Sequence, residues 1–100
     1  LAIGVDSNQN YMQPGTMLTS MYKKVGLAAY NSFAAAVAGN WEAGFSVNGV
    51  AEDGVGAAMD EYNADLVSAD MLAAVDAARA AIISGDIVVH DYMSDNSCPL

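Results

Sequence analysis

A carboxylate that closes an apolar run is well placed for chemistry. Ala2 to Val5 is a short continuous apolar run, and Asp6 follows it at the head of the polar stretch Ser7-Asn8-Gln9-Asn10. In open α/β sheets, ligands collect in the crevice at the carboxyl ends of the strands. A carboxylate there can accept two hydrogen bonds from a vicinal diol, as acidic side chains do when they hold ribose hydroxyls. The competing reading makes Asp6 the cap of its own loop, as an Asx-turn. Lys23-Lys24 supplies two of the 3 Lys and Arg residues of the chain. One of them could reach a ligand hydroxyl or phosphate in a cleft, or neutralise Asp6. The plainer alternative is a solvated pair at a helix start.

Other candidates carry less. His90 beside Asp91 suggests an acid–base pair, but no Ser or Cys nucleophile shares a recognisable motif with it. Glu52-Asp53 and Asp60-Glu61 lack the spacing of a calcium loop and read as solvated turns. Gly49 to Gly56 does not match a phosphate-cradling GxGxxG after a strand. Trp41 could stack on an aromatic ligand, although a lone Trp at a helix end more often closes a core. The residues therefore point to no catalytic group and no metal site.

The elements that must position Asp6 and Lys23 alternate between strand and helix. Ala2 to Val5 has the pattern of a strand buried on both faces, with a polar loop at its carboxyl end. Gln13-Pro14-Gly15 marks a turn, and Thr16 to Met21 reads as an extended segment of mixed polarity. From Tyr22 the apolar period becomes helical through Val25, Ala29, Phe33 and Val37, predicting an amphipathic helix to about Ala38 that Gly39-Asn40 stops. Phe45-Ser46-Val47 and Gly54-Val55-Gly56 predict two short strands about a glycine-rich turn. Asp60 to Asp65 is a polar connection. Ser68 is an N-cap with Asp70 in the first turn, where an anion suits the positive helix end. Met71, Leu72, Val75, Ala78, Ile82 and Ile83 form the expected buried stripe of this second helix, and Gly85 ends it. Ile87-Val88-Val89 predicts a last strand, and the tail from Ser94 to Leu100 is expected to be loose. The class is α/β.

Composition narrows the function classes. Against 12 acidic residues there are 3 Lys and Arg residues, for a formal charge of −9. A nucleic-acid binder needs a basic footprint, and a polybasic membrane anchor needs the same. Both are excluded. A hydrophobic content of 54% argues against disorder. The single Cys98 leaves no internal disulfide framework and no multi-cysteine zinc site. A chain of 100 residues makes one small domain that buries about 60–65% of its unfolded surface. It opens on Leu1-Ala2-Ile3-Gly4-Val5 without an initiator Met or a cationic leader, and is expected to be a fragment.

Four segments, in order, resemble one family. They are Gly4-Val5-Asp6-Ser7-Asn8-Gln9, then Leu18-Thr19-Ser20-Met21-Tyr22-Lys23-Lys24-Val25, then Asn48-Gly49-Val50 through Asp53-Gly54-Val55-Gly56, and finally Ile82-Ile83-Ser84-Gly85-Asp86-Ile87-Val88-Val89. Together they look like the signatures of the basic membrane protein family. These are the extracytoplasmic substrate-binding lipoproteins of ABC importers, similar to the purine nucleoside receptor.

The resemblance implies a type I periplasmic-binding fold of two α/β lobes joined by hinge strands, with only the C-terminal part present. Residues 1–93 would be part of the C-terminal lobe with its hinge crossing, and 94–100 a flexible tail. Asp6 matches the family's ribose-binding Asp and Lys23 the Lys that also contacts the sugar. The implied activity is binding of a nucleoside without catalysis or cofactor, with ABC permease subunits as partners and a lipid anchor on the full-length form outside the cytoplasm. This sequence departs from the family at Asn8, where a second Asp is usual, at Val50 in place of Leu, and at Lys24 where Arg is common. The residues that read the base lie in the family's N-terminal portion. Three alternatives remain beside the nucleoside: a sugar or signalling ligand in the same fold, a non-catalytic α/β interaction module, and an enzyme such as a nucleoside hydrolase. Clustered carboxylates or an activated nucleophile would be needed for the last, and Asp6 alone supplies neither. Convergence of Asp6 and Lys23 on one ligand or on each other is the geometric expectation.

Overall fold

The computed structural model describes residues 1–99. Strand β1 (Ala2–Asp6) leads through a single 3-10 turn at Asn10–Met12 into β2 (Met17–Lys23). Helix α1 (Val25–Val37), strand β3 (Val55–Ala57), helix α2 (Ala69–Ser84) and the short helix α3 (Tyr92–Asp95) follow. The three strands form one mixed sheet in the order β1-β2-β3, with β1 parallel and β3 antiparallel to β2. The α/β class holds.

The parallel register sets the site. Gly4 lies beside Ser20, Val5 beside Met21 and Asp6 beside Tyr22, so the carboxyl ends of β1 and β2 finish together. Tyr22 and Lys23 belong to β2, although periodicity alone places Tyr22 in the helix. Their ladder partners explain it: Tyr22 pairs with both Asp6 and Gly56, and Lys23 pairs with Val55. A two-sided ladder outcompetes helical propensity until Lys24, where β3 ends its pairing and α1 begins. Gly39, at a positive φ of 77°, follows the end of α1 as expected of a helix stop.

Helix α2 follows its sequence signals closely. Ser68 Oγ accepts from the Met71 N–H at 3.3 Å, Asp70 sits in the first turn, and Gly85 adopts the left-handed conformation at φ 85°. Its apolar stripe is less covered than expected, because Met71, Leu72, Val75 and Ile83 all remain substantially exposed. An open gap of 430 Å³ separates Leu72, Val75 and Ile82 from Ile3, Met21 and Ala57 on the sheet.

Three further expectations are corrected. Strand β1 is not buried on both faces: it is an edge strand with one neighbour, and Ile3 and Val5 are exposed. Phe45-Ser46-Val47 forms no strand, and Phe45 is fully exposed. Ile87-Val88-Val89 forms none either, although the Ile87 N–H donates to Ala81 O at 3.1 Å. In both cases the β-prone side chains find no strand edge to pair with, and propensity without a ladder does not make a strand. Helix α3 crosses the start of the segment expected to be loose, with Asp91 capping it through the Met93 N–H. Leu100 lies outside the described residues. No helix among the described residues is long and apolar enough to cross a membrane.

Candidate functional site

Asp6 and Lys23 meet. Lys23 Nζ lies 2.7 Å from Asp6 Oδ1 at the shared carboxyl end of β1 and β2, with the two side chains 53% and 67% exposed. Asp6 holds a positive φ of 72°, which turns the chain out of the strand at that residue. Among the described residues no backbone N–H bonds to its carboxylate, so Asp6 does not form an Asx-turn there. One oxygen is engaged by Lys23 and the rest of the carboxylate faces solvent, open to hydroxyl donors.

The two lysines part company. Lys24 turns to the turn between residues 49 and 54, donating to Asp53 and standing 5.8 Å from the Tyr22 ring centroid. Arg79 on α2 reaches the other oxygen of Asp53 at 3.5 Å. The hydrogen bond from Lys24 holds the Asp53 carboxyl below the usual carboxylate range, and the same bond raises the Lys24 ammonium above its own. Asp53 is thus an ion-pair junction rather than a solvated turn residue. A cleft of 270 Å³ opens beside the lysines, lined by Lys23, Lys24, Asn31, Asn48 and Glu52 with the start of α1. The larger gap under α2 contains neither Asp6 nor Lys23 and is apolar space between elements.

Beneath Asp6 lies a set of residues that sequence reasoning passed over. Among the described residues Gly4, Asn10, Ser20, Ala58 and Asn63 are buried, and three of these side chains are polar. Ser20 Oγ donates to Asn10 Oδ1 at 2.7 Å and accepts from the Gln9 N–H at 3.0 Å. Asn63 Nδ2 donates to Leu18 O at 2.8 Å and to Ala58 O at 3.0 Å. Gly4 leaves the space that Ser20 fills: a Cβ there would sit 2.5 Å from Ser20 Oγ and 2.9 Å from Gln9 Oε1. Asp60 closes the knot by accepting from Asn8 Nδ2 at 2.7 Å and Asn10 Nδ2 at 3.2 Å. The Asn8 amide, ahead of the other donors, holds the Asp60 carboxyl below the ordinary range. A Ser at the inward position of a strand, facing a Gly across the ladder, was the available signal.

The remaining candidates are placed plainly. His90 Nε2 faces Asp95 Oδ1 at 3.2 Å and Ser97 O at 3.0 Å, while Asp91 caps α3. Trp41 is exposed, and the Glu52 carboxylate accepts from the Gly49 N–H at 2.8 Å. Among the described residues, no three His, Cys, Asp or Glu side chains group in a way that could hold a metal ion.

The fold has a likeness among solved structures. A solute-binding protein of an ABC transporter system from Aeropyrum pernix K1 matches 92% of this chain with a TM-score of 0.64 and 22% identity. The chain spans about a third of that protein's length, 34%. No family model matches the sequence. No curated protein matches it either. The likeness establishes the fold: the α/β arrangement of this chain is similar to part of that protein.

Proposed function

We propose that this chain is part of the extracytoplasmic solute-binding component of an ABC importer and holds a nucleoside by its ribose. The observation that carries the reading is the 2.7 Å Asp6–Lys23 pair at the joint carboxyl end of two parallel strands. Such an end is where ligands sit in open α/β sheets. Asp6 accepts the two hydroxyls of a vicinal diol, and Lys23 donates to one of them while neutralising the carboxylate. Four family-like segments in order support the nucleoside and the basic membrane protein family, and the fold shared with an ABC solute-binding protein supports the transport role. Residues 1–93 act as the C-terminal lobe with its hinge crossing, and 94–100 as a tail. The ligand bridges this lobe and a second one, favouring the closed state by its better contacts there. The closed form docks on the permease, and the full-length protein is lipid-anchored. No step of this cycle needs a nucleophile or a cofactor.

The test is a thermal shift of the intact protein with a panel of purine and pyrimidine nucleosides, beside Asp6→Ala. A ligand at about 100 times its Kd stabilises the native state by about 2.7 kcal/mol, seen as a higher midpoint. A shift with one nucleoside class that vanishes in Asp6→Ala is the expected result. Free sugars form the second panel, because the same diol chemistry serves them. A shift with sugars and none with nucleosides would replace the ligand class.

A further inference from the structure

We propose that Asp60 is the positioning residue of this site: its carboxylate, acting through Asn8 and Asn10, fixes the direction in which Asp6 presents its own. The inference rests on the reading of Asp6 as the ligand-holding carboxylate and names what holds it.

Asp6 sits between two tethers. On one side the Val5 N–H donates to Gln9 Oε1 at 3.2 Å, and on the other Asn8 is bound to Asp60 at 2.7 Å. Asn8 Oδ1 also accepts from the Asn10 N–H at 3.0 Å, and Asn10 itself is fully buried. Only Ser7 separates Asp6 from the bound Asn8, so the left-handed turn at Asp6 starts and ends on fixed points. Apolar packing does not do this work, because Ile3 and Val5 are exposed. The polar knot is what makes the end of β1 rigid.

Asn10 Nδ2 also reaches Ala58 O at 3.4 Å, but among the described residues the Asp60 carboxylate alone ties the loop to the segment after β3 through both Asn8 and Asn10. Its Oδ2 accepts from both amides, and its Oδ1 accepts from the Tyr62 N–H at 3.0 Å. All these partners are donors, so the site requires an acceptor at both oxygens. An Asn of the same size cannot satisfy it. With its oxygen toward Asn8 and Asn10, its NH2 faces the Tyr62 N–H; flipped, its NH2 faces both amides. Either way a donor loses its partner, and the loop is left with a neutral acceptor in place of a charged one, or with none.

The experiment compares wild type, Asp60→Asn and Ser68→Ala in the intact protein. Ser68→Ala removes the cap of α2, away from the loop, and serves as a control for lost stability. Two readouts are taken: Kd for inosine by calorimetry, and the Asp6–Lys23 side-chain contacts of the ligand-free protein by NMR. Asp60→Asn is expected to raise Kd about tenfold or more, as a lost donor partner does when felt at the site, and to weaken the Asp6–Lys23 contacts. Ser68→Ala should change neither. Asn8→Ala, which leaves the Asn10 bond to Asp60, gives a smaller effect of the same sign and stands in if Asp60→Asn does not fold. Unchanged Asp6–Lys23 contacts in both loop variants would overturn the proposal. If wild type binds no nucleoside, the nucleoside reading fails by itself, and the ligand-free NMR comparison still decides the role of Asp60.

Discussion

The exposure of Asp6 and Lys23 separates what they give to stability from what they give to binding. An exposed ion pair stabilises a fold by about 0–1 kcal/mol, because water screens it and ordering two side chains costs entropy. Lys23→Met is therefore expected to move the unfolding free energy by less than about 1 kcal/mol in urea titration, while weakening nucleoside binding. The backbone at Asp6 adds a second contrast. At φ 72° a β-branched side chain is strained where Gly is not, so Asp6→Val should lose about 1–2 kcal/mol relative to Asp6→Gly. Both variants should lose binding, and a variant that kept it would remove Asp6 from the site. The resemblance, not local pattern, singled out these two residues: Asp6 after an apolar run also reads as a loop cap, and periodicity puts Lys23 at a helix start although it ends β2. Asp60 was marked by neither. Its partner Asn8 is 52 positions away, and nothing local in Asp60-Glu61 distinguishes an anchoring carboxylate from a solvated one. Asn8, where the family that the sequence resembles usually has Asp, reads in sequence as a loss of charge. In the structure it is the amide donor that Asp60 requires.

Helix boundaries were more legible than strands, and the reason is the range of the forces involved. Ser68 and Gly85 act on N–H and C=O groups within a turn of themselves, so the sequence contains the whole interaction. A strand is completed by a neighbour, and neither Phe45-Ser46-Val47 nor Ile87-Val88-Val89 has one among the described residues. The turn from Gly49 to Gly54 instead gains its place electrostatically, through Asp53 to Lys24 at the start of α1 and to Arg79 on α2. That junction predicts an acid-sensitive linkage. The Lys24 hydrogen bond lowers the folded Asp53 pKa, so near pH 4 the unfolded chain binds more protons than the folded one. The stabilisation is complete above the unfolded value of about 3.9 and is lost as pH falls through the lower folded value. Asp60 and Asp95 are lowered too and share this window. Asp53→Asn should therefore flatten, without abolishing, the fall of the melting midpoint as pH drops below about 4. An acid limb identical to wild type would show that Asp53 ties nothing together.

The molecule as a whole is held by a small polar centre inside a large apolar exterior. Its radius of gyration is 16.2 Å, where a compact domain of 100 residues has about 13 Å. The accessible surface is 7496 Å², against roughly 5,400 Å² for a compact monomer of this size. The excess is apolar in kind: Val25, Tyr30, Phe33 and Val37 on α1 and Ile3 and Val5 on β1 all face outward. Hydrophobic burial is the main favourable term in folding, and a polar knot cannot replace it, since each internal hydrogen bond returns only about 1 kcal/mol net. These 100 residues taken alone should therefore cover their apolar faces against one another. The charge of −9 opposes that association at long range, and salt removes the opposition, with a Debye length near 10 Å at about 0.1 M. The expected behaviour is a broad thermal transition at low salt with strong binding of a hydrophobic dye. Raising salt should produce larger species by light scattering, and the midpoint should then depend on protein concentration. A sharp transition independent of concentration at low and high salt, with no dye bound, would mean that the polar knot and the ion pairs suffice. In that case the exposed faces of α1 and β1 would be tolerated surface, and the site at the end of β1 would stand on a self-sufficient unit.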